Sequence, residues 1–511
     1  MNPNRLCAAI ALLVLGTGQS HGAGLELTQQ GVKELGHGYA GTATLLEDAS
    51  AIAYNPAGLA GLESSQFTGA LTAIYADIDY EAEFIREKIE NEYGLEPTRV
   101  AGANQGKSRD LIPVPAAYYA HKLTDDIALG IGVYGAFGSG SDYPSDWAGR
   151  FHAIETDQTA ININPTVAWQ ATDTLSLGFG AILQSYEARL TNEIDISYLA
   201  AESLVSNVEE EEDRGTAEDV AEEVLDRFSR SEEYNVFNDI ELDSIAFGFS
   251  FGALWEPRDE TRVGLNFRSR TSHIAEGEAV RPKLSTPEKR DEFLDELAED
   301  IDEFTQIGFD EAREAAAAAV DERGALGGDL HSRITLPDIL TLSVQQGVGE
   351  RLDLMASATW VNWSVLDEIR LEYTDKTLRG GSDITGSDDD VRRRDLVQPL
   401  DFENTIRYGV GARYAYSDRL TLRAGASYDE SPLKDPANRT PRAPDNDRLI
   451  AGTGVSYEWN ERLSLDFSYG WIRIREGNTQ ARENPAGTQH RASGSSRGTL
   501  HNVGAQMNYS F

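Results

Sequence analysis

The sequence predicts an all-β protein: a transmembrane antiparallel β-barrel of about fourteen strands, with an N-terminal plug and long, partly helical extracellular loops. Three observations predict it. Apolar and polar residues alternate along many short segments, aromatic rings lie near the ends of those segments, and short connections alternate with long polar ones.

The composition argues against three other classes of protein. The chain has 85 Asp+Glu against 45 Lys+Arg and a formal charge of −40, so nucleic acid is not an expected partner, because its phosphates need Lys and Arg. Beyond the N-terminus no run of about 18 apolar residues occurs, so no transmembrane helix is predicted. The eight histidines are scattered and form no nucleophile–base arrangement, so we predict neither an enzyme nor a cofactor or metal site.

The first element is a secretory signal peptide over residues 1–22. A basic start at Arg5 precedes an apolar run over residues 6–15, and small residues follow up to Gly22, which is the layout of a cleavable signal. The apolar run is too short for a membrane anchor. Cleavage after Gly22 would remove Cys7, the single cysteine of the chain, so the mature protein is predicted to have no disulfide.

The second element, residues 23–64, is not strand-like and is predicted to plug the barrel. Glycines and small residues recur there without a period of two. A barrel of this width has more interior than its own side chains fill, and the segment is too apolar for a solvated periplasmic tail. Within it, Pro56 disfavours a helical Asn55, and the Asn55 side chain can hold a tight turn. The sequence Asn55-Pro56-Ala57 is therefore predicted to form a rigid turn against the barrel wall.

The third element, residues 65–511, is the barrel. Residues 503–511 read VGAQMNYSF, so apolar side chains share one face of a strand and small or polar ones the other. A soluble sandwich would alternate in the same way, but here the polar face carries charges such as Arg423 and Asp466, and the apolar face carries rings near strand ends, as at a membrane interface. An open sheet edge cannot face lipid, so the strands must close. The interfacial rings are Trp255, Trp360, Tyr428, Tyr457, Trp459 and Trp471.

The connections predict the topology. Short ones occur near 124–125, 171–173, 256–259, 348–350, 417–418 and 460–461, and long polar ones near 81–110, 138–150, 193–239, 278–334, 375–399, 432–445 and 476–496. Short turns on one side and long loops on the other are the layout of a bacterial outer-membrane barrel. An even strand number leaves both termini on the periplasmic side, where the C-terminal Phe511 is expected to engage the barrel-assembly machinery.

Two acidic loop insertions, near 193–239 and 278–334, are predicted to be partly helical. Thr286-Pro287 has the form of a helix cap followed by proline at the first helical position. An apolar stripe follows at helical spacing. It either packs on neighbouring loops or captures apolar ligands at the cell surface, and both alternatives stay open. The stripe consists of Phe293, Leu297, Ile301 and Phe304.

Short motifs along the chain resemble the FadL/TodX (OMPP1) family of outer-membrane transporters of long-chain fatty acids and other hydrophobic compounds. The resemblance covers nearly the whole predicted mature chain apart from the two acidic insertions. Its motifs are Ala23-Gly24-Leu25, 36–41 (GHGYAG), Asp48-Ala49-Ser50, 55–58 (NPAG), Asn164-Pro165, Leu336-Pro337, Trp363-Ser364, 429–432 (DESP), 444–448 (PDNDR) and Tyr509-Ser510-Phe511.

The resemblance implies a passive route for an apolar molecule. The ligand is caught between the long loops, passes to a site inside the barrel, and leaves sideways through a gap in the wall into the outer-membrane lipid. Movement of the plug's N-terminus would release it, and the family's opening lies at the third strand, where two glycines are placed for a kink. The N-terminal residues are Ala23, Gly24, Leu25, Glu26 and Leu27, and the glycines are Gly135 and Gly138.

The substrate class depends on a cation, because a carboxylate headgroup needs one in an apolar site. Arg189 and Arg394 lie in or before stretches that resemble the family's headgroup-binding strand ends, and alternation directs Arg407 and Arg423 inward. Taken singly, each of these arginines is more typical of an ordinary salt bridge in the lumen than of a ligand contact. A long-chain fatty acid is the leading prediction. Aromatic or aliphatic hydrocarbons, which need no cation, remain an alternative, and so does a structural or adhesion barrel.

Overall fold

The computed structural model describes residues 24–44, 47–86, 98–196, 199–200, 219, 221, 224, 234–321, 327–375, 377–378, 391–392, 395–483 and 490–511. The predicted signal peptide and Ala23 lie outside these residues, and so do Arg393 and Arg394. Within the described residues, no helix is both long and apolar enough to cross a membrane.

Fourteen antiparallel strands form a closed barrel in the part of the chain that the structure describes, as the alternation predicts. The strand β1 pairs with β14 along its whole length, from Gln66 opposite Ser510 to Arg86 opposite His490, so this sheet has no open edge. The strands are β1 (Gln66–Arg86), β2 (Gln105–Lys122), β3 (Ile127–Asp142), β4 (Glu155–Thr172), β5 (Leu175–Asp195), β6 (Asn235–Arg258), β7 (Thr261–Arg268 and Thr271–Val280), β8 (Gly328–Leu336 and Ile339–Val348), β9 (Leu352–Val361 and Glu368–Tyr373), β10 (Leu396–Pro399 and Thr405–Ser417), β11 (Leu420–Asp429), β12 (Arg448–Asn460), β13 (Leu463–Thr479) and β14 (His490–Ser510).

The two faces of the wall differ as a membrane barrel requires. Large apolar side chains such as Phe247, Val410 and Trp459 are exposed on the outside, whereas Arg423 and Asp466 are buried inside. The connection between β11 and the preceding strand is the two residues 418–419, and that between β12 and β13 is 461–462. These short turns fall where the sequence predicts them. The described shorter strand pieces Thr98–Arg99, Thr377–Leu378, Val391–Arg392 and Arg482–Glu483 belong to the long loops.

Most of residues 24–64 form a compact body inside the barrel, here called the hatch. It contains helix α1 (Val32–Gly36), the one-turn helix α2 (Ala51–Tyr54) and a 3-10 helix (Pro56–Gly61). Its apolar side chains are buried against the inward faces of the strands: Leu35 packs with residues of β1, β2, β12 and β13, and Ile52 with residues of β2 to β4. The hatch therefore fills the lumen across its width.

The second acidic loop carries two further helices, α3 (Pro287–Thr305) and α4 (Phe309–Asp321). The predicted cap is present: the Thr286 hydroxyl accepts a hydrogen bond from the Lys289 N–H at 3.3 Å. The apolar stripe is not an exposed capture surface, however. Phe293, Leu297 and Ile301 are buried in a core that the two acidic loops form together, because an exposed stripe of that size would be costly in water. Phe304 belongs to α3, but its side chain lies outside the described residues.

Candidate functional site

A gap interrupts the barrel wall between β2 and β3. These strands are paired only from Ala116 opposite Tyr134 to Lys122 opposite Ala128, although each continues for many residues toward the extracellular side. Further along, the Asp142 N–H donates to the Ser108 hydroxyl at 3.1 Å and closes the gap at its upper end. Over residues 109–115 of β2 and 135–141 of β3 no ladder joins the two strands within the described chain.

The gap begins where β3 bulges. The pairing of β3 with β4 shifts by one residue between Gly135 and Phe137, and such a bulge bends a strand away from its neighbour. A Cβ atom at Gly135 would lie 3.1 Å from the Leu27 side chain and 4.0 Å from Val114 of β2, and one at Gly138 would lie 3.2 Å from Leu27. Because glycine has no side chain, a narrow space stays open at both positions between the β3 backbone and the Leu27 side chain of the hatch.

The N-terminal segment of the hatch lies against the gap and pairs with β3 in the manner of a short strand. The Leu27 N–H donates to the Ala136 carbonyl at 3.1 Å, and the Gly138 N–H donates to the Leu25 carbonyl at 2.7 Å. Glu26 stands opposite Phe137 in this bridge. The unpaired edge of β3 thus obtains its hydrogen bonds from the hatch instead of from β2.

Two buried arginines hold this segment from the lumen side. One carboxylate oxygen of Glu26 lies 3.1 Å from Arg407 of β10, and the other lies 3.9 Å from Arg268 of β7. Arg407 also lies 3.7 Å from Asp429 of β11, and the Arg268 guanidinium stands over the Phe137 ring at 5.2 Å. The sequence directed Arg407 inward correctly, and the structure brings it to the hatch.

The start of the segment is held by the loop after β11. The Gly24 N–H donates to the Asp445 carboxylate at 3.0 Å. The same carboxylate accepts from the Ser431 hydroxyl at 2.8 Å and forms an ion pair with Arg448 at 2.5 Å. Asp445 and Arg448 belong to the 444–448 motif, so that motif lies directly at the N-terminus of the hatch.

An internal cavity lies beside this segment. It has a volume of about 50 Å³, which leaves room for only a few water molecules. Gly24 and Leu25 form part of its wall, and Arg442 lines both this cavity and a neighbouring one of about 40 Å³. A long apolar ligand therefore fits only after the wall moves, and the N-terminal segment is part of that wall. The remaining lining is largely apolar and includes Ile78, Ile369, Leu400, Phe402, Leu433 and Ile474.

The Asn55-Pro56-Ala57 turn fastens the hatch to the barrel wall at β6. The Asn55 side chain accepts from the Ala57 N–H at 3.1 Å and so caps the 3-10 helix. Its amide donates to the Ala43 carbonyl at 2.7 Å and to the Ala253 carbonyl of β6 at 3.2 Å. One buried side chain thus joins the turn, another part of the hatch and the barrel, which is the rigid arrangement that Pro56 and Asn55 predict.

Charges anchor the body of the hatch. Lys33 pairs with Asp48 at 2.9 Å within the hatch, and Glu47 pairs with Arg413 of β10 at 3.0 Å and with Arg423 of β11 at 2.5 Å. Arg423 therefore serves as an anchor for the hatch in this structure. Burial alone would lower the pKa of Lys33, but nearby carboxylates outweigh it and hold that pKa above its usual value. Lys33 is therefore charged over the ordinary pH range.

Arg189, another of the predicted cations, does not line the cavity. Arg189 shares the outward face of β5 with the exposed Phe179, and it pairs there with Asp239 at 2.7 Å and Glu155 at 2.9 Å. It lines an acidic groove of about 1190 Å³ on the outside of the barrel, so we do not retain it as a headgroup ligand. The expectation for Arg394 falls outside the described residues.

Sequence reasoning missed Arg268, Arg442 and Asp445, whose roles depend on contacts between distant strands and loops. It also missed a local signal. Pro113 and Pro115 lie in β2 alongside the gap, and proline, which has no N–H to donate, is confined to strand edges and bulges. Two prolines in a strand of an otherwise closed barrel indicate where the pairing stops.

Phe511 is exposed and packs against Tyr119 and Tyr509 on the outside of the wall.

Comparison with known proteins gives consistent matches over the whole length. A family model described as "Outer membrane protein transport protein (OMPP1/FadL/TodX)" matches residues 13–511. Outer membrane protein P1 of Haemophilus influenzae is 26% identical over 521 residues, covering 99% of both chains. The long-chain fatty acid transport protein of Escherichia coli strain K12 is 22% identical over 481 residues, covering 92% of this chain and 93% of that protein. The crystal structure of a Pseudomonas aeruginosa FadL homologue has a TM-score of 0.75 at 21% identity, covering 96% of this chain and 100% of the other.

Proposed function

The chain belongs to the OMPP1/FadL/TodX family of outer-membrane transporters of hydrophobic compounds, and on this premise we propose that it takes up long-chain fatty acids. In this proposal the molecule passes from the long loops to the internal cavity. It then leaves sideways through the gap between β2 and β3 into the bacterial outer membrane. The process is passive and downhill, and no bond of the ligand is made or broken.

One observation carries the proposal: the N-terminal segment of the hatch borders both the cavity and the gap in the wall. Gly24 and Leu25 border the cavity, and Leu25 and Leu27 are hydrogen-bonded to the edge of β3 at the gap. Movement of this one segment opens both. Leu111 beside the gap and Ile131 in the paired stretch next to it are apolar and exposed on the outside, so a ligand that leaves there enters hydrocarbon instead of water.

A fatty acid is favoured over other apolar molecules by a cation, Arg442, that borders the cavity. Arg442 lines both internal cavities, and its guanidinium donates to oxygens of Thr191 and Asn192 at 3.1 and 3.2 Å. A ligand carboxylate beside it would gain a charge-assisted hydrogen bond. The largely apolar lining supports the second candidate, a hydrocarbon, which would use the same route without that bond.

Phe511 has a separate role in this proposal. It is the last residue of the barrel and lies exposed beside the ends of β1 and β14, with its N–H donating to the Ser65 carbonyl at 2.9 Å. We assign it to recognition by the barrel-assembly machinery. Replacing Phe511 by alanine should reduce the amount of folded barrel in the membrane without changing uptake per folded molecule.

The test compares uptake of two labelled ligands. Cells that lack their own transporter are given the gene, and uptake of radiolabelled oleate and of radiolabelled toluene is measured against the empty vector. We expect oleate uptake to rise with the gene. A rise with toluene alone would favour the hydrocarbon alternative. No rise with either would overturn the proposal and favour a structural or adhesion barrel. Lipid that copurifies with the protein, identified by mass spectrometry, gives an independent assignment of the ligand.

A further inference from the structure

We propose that Glu26 occupies the place of a ligand carboxylate, and that the headgroup of the transported molecule releases the hatch by replacing Glu26 on Arg407 and Arg268. The inference rests on the proposed function and deepens it. It names a residue that selects the substrate class, and it couples recognition of the headgroup to opening of the wall.

The charge balance around Glu26 is the first step. Glu26, Arg268, Arg407 and Asp429 form a group of two carboxylates and two guanidiniums, and each of the four is less than a tenth exposed. The Glu26 carboxylate spans both arginines, at 3.1 and 3.9 Å. If Glu26 leaves, Arg407 keeps Asp429 at 3.7 Å, but Arg268 loses the carboxylate that lies 3.9 Å from it. A buried charge without its counter-ion is strongly unfavourable, so this group resists opening unless another anion enters.

The second step is the mechanical connection between Glu26 and the gap. Its two neighbours in the chain, Leu25 and Leu27, are the residues whose backbone groups bond to β3. When residues 25–27 leave β3, the Glu26 carboxylate is carried away from Arg407, since the three residues form one short segment. Release of the wall edge therefore requires release of the carboxylate.

The third step is access. Leu25 and Gly24 form part of the wall of the cavity, so a ligand headgroup that enters the cavity is separated from the arginines by the segment that carries Glu26. A carboxylate headgroup offers the same two oxygens that Glu26 now supplies. A hydrocarbon or an ester of the same chain length brings no charge to that position. Only the acid can therefore compensate Arg268 and Arg407 when Glu26 withdraws.

The test follows the position of the hatch segment directly. The one cysteine of the chain, Cys7, lies in the predicted signal peptide, so a single reporter thiol is introduced by Leu25→Cys and its reaction with a maleimide is timed in purified, detergent-solubilised protein. Oleate is compared with methyl oleate, which has the same chain without the charge. Hydrogen exchange of residues 24–30 in the unsubstituted protein gives the same comparison without a variant.

We expect oleate to speed labelling about tenfold or more and methyl oleate to leave it nearly unchanged. Glu26→Gln should raise labelling without ligand and abolish the difference between the two ligands. The matched control, Glu63→Gln at the exposed end of the hatch, should behave as the parent protein. Equal responses to acid and ester, or a Glu26→Gln variant that behaves as the parent, would overturn the inference.

The outcome is separable from that of the proposed function. If cells take up oleate through the protein but the hatch segment responds equally to acid and ester, the transport proposal stands and the role of Glu26 fails. If neither oleate nor toluene is taken up, the transport proposal itself fails.

Discussion

Filling the gap at Gly135 tests the exit route most simply. A Cβ atom there would lie 3.1 Å from Leu27 and 4.0 Å from Val114, so the side chain of Gly135→Val points into the space between β2, β3 and the hatch. Extra methyl groups in a packed space cost roughly 1–3 kcal/mol. If that cost falls on the passage of the ligand, uptake slows by about 5- to 150-fold, since each 1.36 kcal/mol is about tenfold in rate.

The assay is the initial rate of labelled oleate uptake, divided by the amount of folded barrel in the outer membrane. The matched control is Gly69→Val on β1, where a Cβ atom would meet only the Phe67 ring, at 3.4 Å. This control should keep the parental rate. Unchanged or faster uptake by Gly135→Val, with normal amounts of folded protein, would refute the reasoning that places the exit at this gap.

Three further predictions concern the hatch. Deleting residues 23–27 should change oleate uptake while the barrel keeps its heat-modifiable migration on gels; an unchanged rate would argue against control by this segment. Asn55→Ala removes three hydrogen bonds of the turn, at a cost of roughly 1–3 kcal/mol per orphaned buried partner, and should speed hydrogen exchange in the hatch but not in the strands. Burial and the neighbouring Asp48 raise the pKa of Glu34, so Glu34 keeps its proton in the packed hatch and loses it when the hatch is released. The stability of the packed hatch should therefore fall as the pH rises above 4.5, the ordinary pKa of a glutamate side chain. Glu34→Gln should flatten that decline, measured by proteolysis of the hatch from pH 5 to pH 9; a decline that Glu34→Gln leaves unchanged would show that another group is responsible.

The barrel itself could be predicted because two independent patterns agree. Alternation assigns one face of each strand to lipid, and tight turns such as 418–419 fix where strands end on the short-turn side. On the other side the strands run further than expected. In β1 the outward face changes from Tyr75 to Asp77, Asp79 and Glu81, while Ile78 and Tyr80 point inward and are buried. The pattern reverses above the membrane, because water replaces lipid outside and loops fill the inside, and a single rule for the whole strand fails there.

The site was less predictable because it depends on contacts between residues far apart in the chain. Alternation places Arg407 inside the barrel, but it cannot show that Glu26, 381 positions away, is its partner. It also cannot show that β2 and β3 separate beyond Ala116. The family resemblance predicts that Arg189 binds a headgroup, whereas the alternation along β5 puts its side chain on the outward face. The structure agrees with the alternation. The prolines of β2 were a usable local signal for the gap.

The most direct test of lateral exit is a reversible staple across the gap. Val114→Cys with Gly135→Cys places two thiols on the facing edges of β2 and β3, where a Cβ atom at Gly135 would lie 4.0 Å from Cγ1 of Val114. We expect oxidation of the double variant to stop oleate uptake and a reductant to restore it, whereas uptake by either single-cysteine variant should not change on oxidation. Equal uptake by the oxidised and reduced double variant would contradict it.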